Sequence, residues 1–313
     1  MPTPEVAVVA PLTGALTTAG AVLLAEVDRI RTVAPGAADW HVHHETLGIG
    51  DTISASGYTA VVGHADPAVA ADALPTYEQA GLACLLPFVP GRNPAVTWAP
   101  AEGGLIRMLH DSTLALGATA LTVMYTEGEA RRAERLVALA HGAGLAVTAE
   151  AMPPVDAHLA GAVVPGAVLA VLAPQDRLPP LLRALSRVAG AGEGGGYRAV
   201  LVAADCGLTS FATLAVAARG LPVWAVHAEL CLVRRARVAV IALADALTRA
   251  PALRGPRLAA DVRARSAHLL GSGGGVLGES LRVSRLSAVC PVRVAADQDT
   301  TGVLPLAQAP LIA

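Results

Sequence analysis

Short, uninterrupted runs of Val, Leu and Ala recur along the chain, and a longer helical stretch separates each run from the next. Such runs lie in VAVVA at 6–10, within YTAVVGH at 58–64 and within YRAVLVAAD at 197–205. A strand that is apolar at every residue is buried on both faces, as in the parallel sheet of an α/β protein. The pattern therefore predicts an α/β fold, and two sets of such strands on either side of about residue 118 predict two lobes.

Composition and charge narrow the class of protein. The 313 residues allow two modest domains, and the formal net charge of −2 disfavours a nucleic-acid groove. No apolar run reaches the roughly 18 residues that a membrane span needs, so we expect no membrane insertion. The N-terminal segment MPTPEVAVVAPLTG lacks the basic and apolar regions of a signal peptide. The chain as given is therefore expected in the cytoplasm, or in the periplasm or outside the cell if a signal peptide has been removed.

The segment WHVHHETLGIGD at 40–51 places three histidines and a glutamate within five residues. Side chains alternate faces in a strand, so His41 and His43 share one face and His44 lies on the other. Two imidazoles on one face could contribute to a metal site, but an edge strand with half-exposed imidazoles explains the segment better. We expect no metal and no cofactor, and we expect Glu45, at the strand's end, to reach a ligand site.

The segment YTAVVGHADPAVAADALPTYEQAGLACLLPF at 58–88 resembles the type I periplasmic binding proteins. The likeness is to the leucine/isoleucine/valine-binding branch, the substrate-binding proteins of branched-chain amino acid ABC transporters. Three further segments fit the same order: VAVVAPLTG, the span 197–229, and ARVAVIALADALTRA at 236–250. The chain is short for this family, and the helix expected after HHETLGIGD is nearly absent.

The resemblance implies a specific architecture. It implies two Rossmann-like lobes with parallel sheets, joined by hinge crossovers. Lobe one would be 1–117 plus 234–280, and lobe two 118–233 plus 281–313. The ligand would lie between the lobes at the carboxyl ends of strands, the usual site on open α/β sheets.

The first lobe differs from the family in the residues that would bind the carboxylate of the ligand. Family members bind this carboxylate with a Ser at the helix start after Gly-His and a Thr after the next strand. Here the first position falls near Asp66 and Pro67, and the second in PFVPGRNP, which offers Arg92 and Asn93. Pro67 has neither a hydroxyl nor an N–H, and Asp66 would repel a carboxylate. The resemblance, with these departures, implies an amine- or amide-bearing ligand rather than an ordinary zwitterion.

The second lobe keeps the acidic residue that holds the ligand ammonium in the family, at Glu229. His227 and Glu229 share a face at a strand's end, with Asp205 and Cys206 on the neighbouring loop. Asp205 or Cys206 stands where the family has its closing aromatic. This group is expected to contact a cationic or hydrogen-bonding ligand. The open alternative is an enzyme that uses Cys206, His227 and Glu229. In that case Cys206 would be the nucleophile and His227 its base.

Other candidates lie after predicted strands. Thr13 follows the first strand, Tyr125 follows the first strand of lobe two, and His64 and Asp66 lie at a helix N-terminus, where an Asp cap is favoured. The expected ligand-binding set comprises Thr13, Glu45, His64, Asp66, Arg92, Tyr125, Asp205, Cys206, His227 and Glu229.

The predicted function is non-catalytic binding of a small polar ligand, amino-acid-like in kind, on which two lobes close. The protein would serve as a ligand sensor or as a solute-binding component. Its partners would be the small molecule and either an ABC permease or a regulatory protein, with no nucleic acid. Whether it forms a homodimer stays open.

Overall fold

The structure is a computed structural model that describes residues 3–91, 94–152, 166–174, 177–191, 197–203, 211–228, 230–270 and 281–286. Two compact units divide this part of the chain. Among the described residues, the first unit comprises 3–101 and 230–270, and the second comprises 102–228 and 281–286. Residues 287–313 of the predicted second lobe lie outside the described residues. None of the helices in the described ranges is both long and apolar enough to span a bilayer.

The first unit contains a five-stranded parallel sheet. Its strands are β1 (Glu5–Ala10), β2 (Asp39–His44), β3 (Ala60–Gly63), β4 (Ala83–Leu86) and β5 (Val96–Thr97). Their order in the sheet is β2-β1-β3-β4-β5, so β2 is an edge strand, as predicted for the histidine segment. The helices of this unit are α1 (Thr17–Val33), α2 (Ile49–Ser54), α3 (Pro67–Gln79), α8 (Leu232–Arg249) and α9 (Gly255–Leu269).

Strand β1 shows why the apolar runs are continuous. Val6 and Val8 face a core formed with α1, α8 and α9. Ala7 and Val9 face a second core, formed with α2 and α3. Both faces of the strand are therefore covered, which is the arrangement that the unbroken apolar runs predict.

The second unit contains a six-stranded sheet. Its strands are β6 (Ala120–Tyr125), β7 (Ala146–Ala151), β8 (Val168–Leu172), β9 (Ala199–Ala203), β10 (Val223–Ala228) and β11 (Leu281–Leu286). Their order is β11-β10-β9-β8-β6-β7, and all pairs are parallel except β10 with β11. The helices are α4 (Glu102–Ala115), α5 (Ala130–Gly142), α6 (Leu178–Ala191), α7 (Phe211–Ala217) and a short 3-10 helix, Glu127–Glu129. The α/β fold with two parallel-sheet lobes is confirmed.

The boundary between the two units differs from the boundary that the sequence predicts by one helix, α4. The sequence analysis ends the first segment of lobe one at residue 117, whereas the first unit ends at Ala101. The physical reason is the packing of α4: Ile106 and Leu109 share a core with Leu121 and Leu136 of the second unit. The return to the first unit likewise comes at Leu230 rather than at residue 234.

The end of β3 has an unusual backbone. Gly63 has φ +142° and His64 has φ +64°, the latter a left-handed conformation that non-glycine residues adopt rarely. A Cβ at Gly63 would lie 1.9 Å from the carbonyl oxygen of Val9, on the neighbouring strand. Residue 63 must therefore be glycine for the chain to turn at this point and place His64 next to the sheet.

We expect Gly63→Ala to lower the free energy of unfolding by about 3 kcal/mol or more, because the added Cβ overlaps backbone and the φ is strained. Denaturant unfolding measures this loss. Gly36→Ala is the control, because a Cβ there meets no atom within 4 Å. The control is expected to change stability by no more than about 0.5 kcal/mol. Equal losses in both variants would contradict this description of the β3 turn.

Candidate functional site

The carboxyl edge of the first unit's sheet brings together several of the predicted residues. Parallel strands end at the same edge, which is where α/β proteins place ligands. Thr13 follows β1, Glu45 follows β2, and His64 and Asp66 follow β3. Arg92 lies outside the described residues.

Glu45 is buried and turned towards the loop after β3. Its side chain is 2% exposed, and its Oε1 lies 3.0 Å from Nδ1 of His64. Both carboxylate oxygens accept the N–H of Ala65, each at 3.1 Å, and Oε1 accepts the N–H of Asp66 at 3.2 Å. A buried carboxylate needs such donors to offset the water that it has lost. These contacts explain how the sequence tolerates an acidic side chain at this buried position.

His64 connects Glu45 to helix α3. Its side chain is 0% exposed, and its Nε2 lies 3.2 Å from the hydroxyl of Tyr77. An ionised carboxylate can only accept, so Nδ1 donates to Glu45; in the neutral imidazole, Nε2 then accepts from the tyrosine. Burial raises the pKa of Tyr77 above its usual value, with smaller contributions from Cys84 and Glu45, so the phenol keeps its proton. We call Glu45, His64, Tyr77 and the two backbone amides the Glu45 network.

Asp66 caps helix α3. Its Oδ1 accepts the N–H of Ala68 at 2.8 Å and that of Val69 at 3.4 Å. Pro67 occupies the first helical position, where its missing N–H is tolerated. An Asp followed by Pro is a strong start signal for a helix, and the predicted capping by Asp66 is confirmed.

The backbone donors around the start of α3 are all used within the unit. The N–H of His64 donates to Val9, and that of Ala70 to the carbonyl of Asp66. The two amides after His64 donate to Glu45, and the two after Pro67 donate to the Asp66 side chain. Since Pro67 has no N–H, this helix start has no backbone donor left for a ligand anion.

Thr13 and His44 form an exposed polar pair at this edge. Nδ1 of His44 accepts the N–H of Leu12 at 3.2 Å, and Nε2 lies 3.4 Å from the Thr13 hydroxyl. The backbone contact leaves Nε2 as the protonated nitrogen of a neutral ring, so the imidazole donates to Thr13. Sequence reasoning did not include His44 or Tyr77 in the site. For Tyr77, the available signal was a polar tip on the otherwise apolar buried face of α3.

His41 and His43 lie on one face of β2, as predicted, and both contact Tyr58. The ring centroids are 5.4 Å and 5.5 Å from that of Tyr58, and Nε2 of His43 lies 2.9 Å from the Tyr58 hydroxyl. Burial, together with the charge of His41, lowers the pKa of His43. Across the described ranges, no three His, Cys, Asp or Glu side chains form a group that could hold a metal ion.

The second unit places Tyr125 at the carboxyl end of β6 and His227 near the carboxyl end of β10. Tyr125 is half-buried against the α4–α5 side of the sheet, and His227 is buried, at 4% exposed. Three predicted residues of this lobe, Asp205, Cys206 and Glu229, lie outside the described residues. The ligand-binding roles of all ten residues stay predictions.

Comparison with solved structures identifies the fold. The chain is similar to a leucine-binding protein of Thermotoga maritima, at 13% identity and a TM-score of 0.61, over 83% of this chain and 87% of that one. It is similar to an ABC transporter solute-binding protein of R. palustris in complex with 4-hydroxybenzoate, at 11% identity and a TM-score of 0.64, over 82% and 84% of the two chains.

A third similar structure is an ABC transporter substrate-binding protein of Desulfitobacterium hafniense in complex with Leu. The identity is 15% and the TM-score 0.62, over 91% of this chain and 97% of that one. No family model matches the sequence, and no curated protein matches it. At these identities the likeness establishes the fold, and the chain has the type I periplasmic binding protein fold.

We expect Tyr77→Phe to lower the free energy of unfolding by about 1–3 kcal/mol, because it leaves Nε2 of the buried His64 without its hydrogen bond. Tyr58→Phe is the matched control, because it also removes a tyrosine hydroxyl that contacts a histidine, here the more exposed His43. We expect that control to lose about 0.5 kcal/mol or less. Urea unfolding of both variants makes the comparison, and a Tyr77→Phe protein as stable as the control would count against the Glu45 network.

Proposed function

We propose that this protein binds a small polar molecule that bears an amine or an amide, and that the first unit contacts it at the carboxyl edge of its sheet. The protein would act as a ligand sensor or as a solute-binding component that delivers its ligand to an ABC permease. Closure of two lobes on the ligand, as the resemblance implies, belongs to this proposal. A regulatory partner, a homodimer and the cellular location also stay predictions.

The fold supports a binding function. The similar structures include proteins that bind leucine and 4-hydroxybenzoate, so this architecture accommodates small molecules of different chemistry. Fold alone does not fix the function or the ligand. The choice of ligand class therefore depends on the side chains and backbone groups of this chain.

The observation that carries the proposal is the complete use of backbone N–H groups from His64 to Ala70. A ligand carboxylate at a helix start needs free N–H donors. Here it would instead meet the half-buried carboxylate of Asp66. The start of α3 therefore disfavours an anion.

The same edge offers acceptors to a cation. Asp66 uses Oδ1 for the helix cap, and within the described part of the chain Oδ2 makes no hydrogen bond. A ligand ammonium or amide N–H can donate to that oxygen. The exposed Thr13–His44 pair adds a hydroxyl that both donates and accepts. Glu229, predicted from the resemblance, would supply a second negative charge to an ammonium.

A thermal-shift screen of amines, amides, amino acids and carboxylates tests the proposal, because a ligand that binds only the folded state raises the melting temperature. We expect the rise with an amine or amide. We expect Asp66→Asn to weaken that binding by about 5–10-fold, because it removes a charge-assisted hydrogen bond. Without ligand, its melting temperature should stay within about 1 °C of the parent, since Asn caps a helix as well as Asp.

Asp72→Asn is the control for the loss of charge. Asp72 is also on α3, exposed, and accepts the N–H of Gly48. This variant should bind the ligand as the parent protein does. A screen in which carboxylates alone raise the melting temperature would contradict the proposal, and so would equal affinities of the Asp66→Asn and parent proteins.

A further inference from the structure

The donors around Glu45 have the arrangement of an anion-binding site. Nδ1 of His64 and the N–H groups of Ala65 and Asp66 converge on Oε1, at 3.0, 3.1 and 3.2 Å. The second oxygen accepts the Ala65 N–H at 3.1 Å. Consecutive backbone amides next to a helix N-terminus, together with a side-chain donor, are the groups with which proteins bind phosphates and carboxylates.

The anion in this arrangement comes from another part of the chain. The donors belong to the loop between β3 and α3, whereas Glu45 follows β2, some 19 to 21 residues earlier. The Glu45 and His64 side chains are 2% and 0% exposed, so the contact is shielded from water. Charge-assisted hydrogen bonds in such surroundings are stronger than neutral ones.

The strained backbone of His64 supports the same interpretation. A non-glycine residue at φ +64° is costly, and such strain persists where surrounding contacts fix it. Here Glu45 holds Nδ1 and Tyr77 holds Nε2. The loop is thus fixed in a conformation that directs three donors at one oxygen.

We propose that Glu45 is a specificity-determining residue whose carboxylate occupies an anion-binding site of the β3–α3 loop and so excludes ligand carboxylates from it. This deepens the proposed function, because it gives the physical cause of a preference for ligands without a carboxylate at this edge. Removal of the Glu45 carboxylate should leave a buried site that accepts a small carboxylate such as formate.

Chemical rescue of a Glu45 variant by formate tests this role of Glu45. Glu45→Ala leaves three donors unsatisfied, and the protein should melt at a lower temperature than the parent in chloride buffer. Sodium formate at about 100 mM should then raise its melting temperature by about 3 °C more than it raises that of the parent, because formate binds the folded variant. If the variant folds only in part, the yield of folded protein after refolding should rise with formate and not with chloride at equal ionic strength.

Two further variants make the test specific. Asp72→Ala removes an exposed carboxylate that also accepts a backbone N–H, at 3.0 Å, and formate should affect it as it affects the parent. Glu45→Gln removes the charge, so the variant should be destabilised. Because its side chain still fills the position, formate should not rescue it. Equal formate effects on Glu45→Ala and Asp72→Ala, or a Glu45→Gln protein as stable as the parent, would overturn the proposal.

The rescue experiment does not require the natural ligand. If Glu45→Ala is rescued while the parent protein binds no amine or amide, Glu45 fills the anion site but the proposed function is wrong. If the parent binds an amine and Glu45→Ala is not rescued, the proposed function stands and the role of Glu45 is overturned.

Discussion

The buried Glu45 carboxylate connects three elements of the first unit. It follows β2, it accepts two amides and an imidazole of the loop after β3, and through His64 it is linked to Tyr77 of α3. A buried charge of this kind is tolerated only when every partner is present. The position of the β3–α3 loop, the strained backbone of His64 and the start of α3 all depend on it. Because it uses the amides of Ala65 and Asp66, it also leaves neither of these donors free for a ligand.

The architecture follows from local patterns in the sequence. Val6 and Val8 face one core and Ala7 and Val9 the other, so an unbroken apolar run is the direct consequence of a doubly covered parallel strand. The unit to which α4 belongs could not be predicted in this way. Its apolar face shows that it packs against something, but only the long-range contact of Ile106 and Leu109 with β6 and α5 decides which sheet.

The contacts of the site were less predictable than the secondary structure, because most of them also join residues that are distant in the chain. The Asp66 cap depends on residues that are adjacent in the chain, and the sequence predicts it correctly. The sequence predicts that Glu45 reaches a ligand site because it follows the end of a strand, and that role stays a prediction. The inward orientation of Glu45 depends on donors some 19 to 21 residues away, and the partner of His64 lies 13 residues further along. No local pattern of hydrophobicity or helix capping encodes such contacts.

Hydrogen exchange at the amides of Ala65 and Asp66, followed by NMR on the ligand-free protein, shows whether Glu45 holds these two donors. If both amides donate to the buried Glu45 carboxylate, they exchange at least about 100-fold more slowly than the same amides in an unstructured chain. Exchange within about tenfold of the unstructured rate at both amides would contradict the account. It would mean that these donors are open to solvent and available to a ligand.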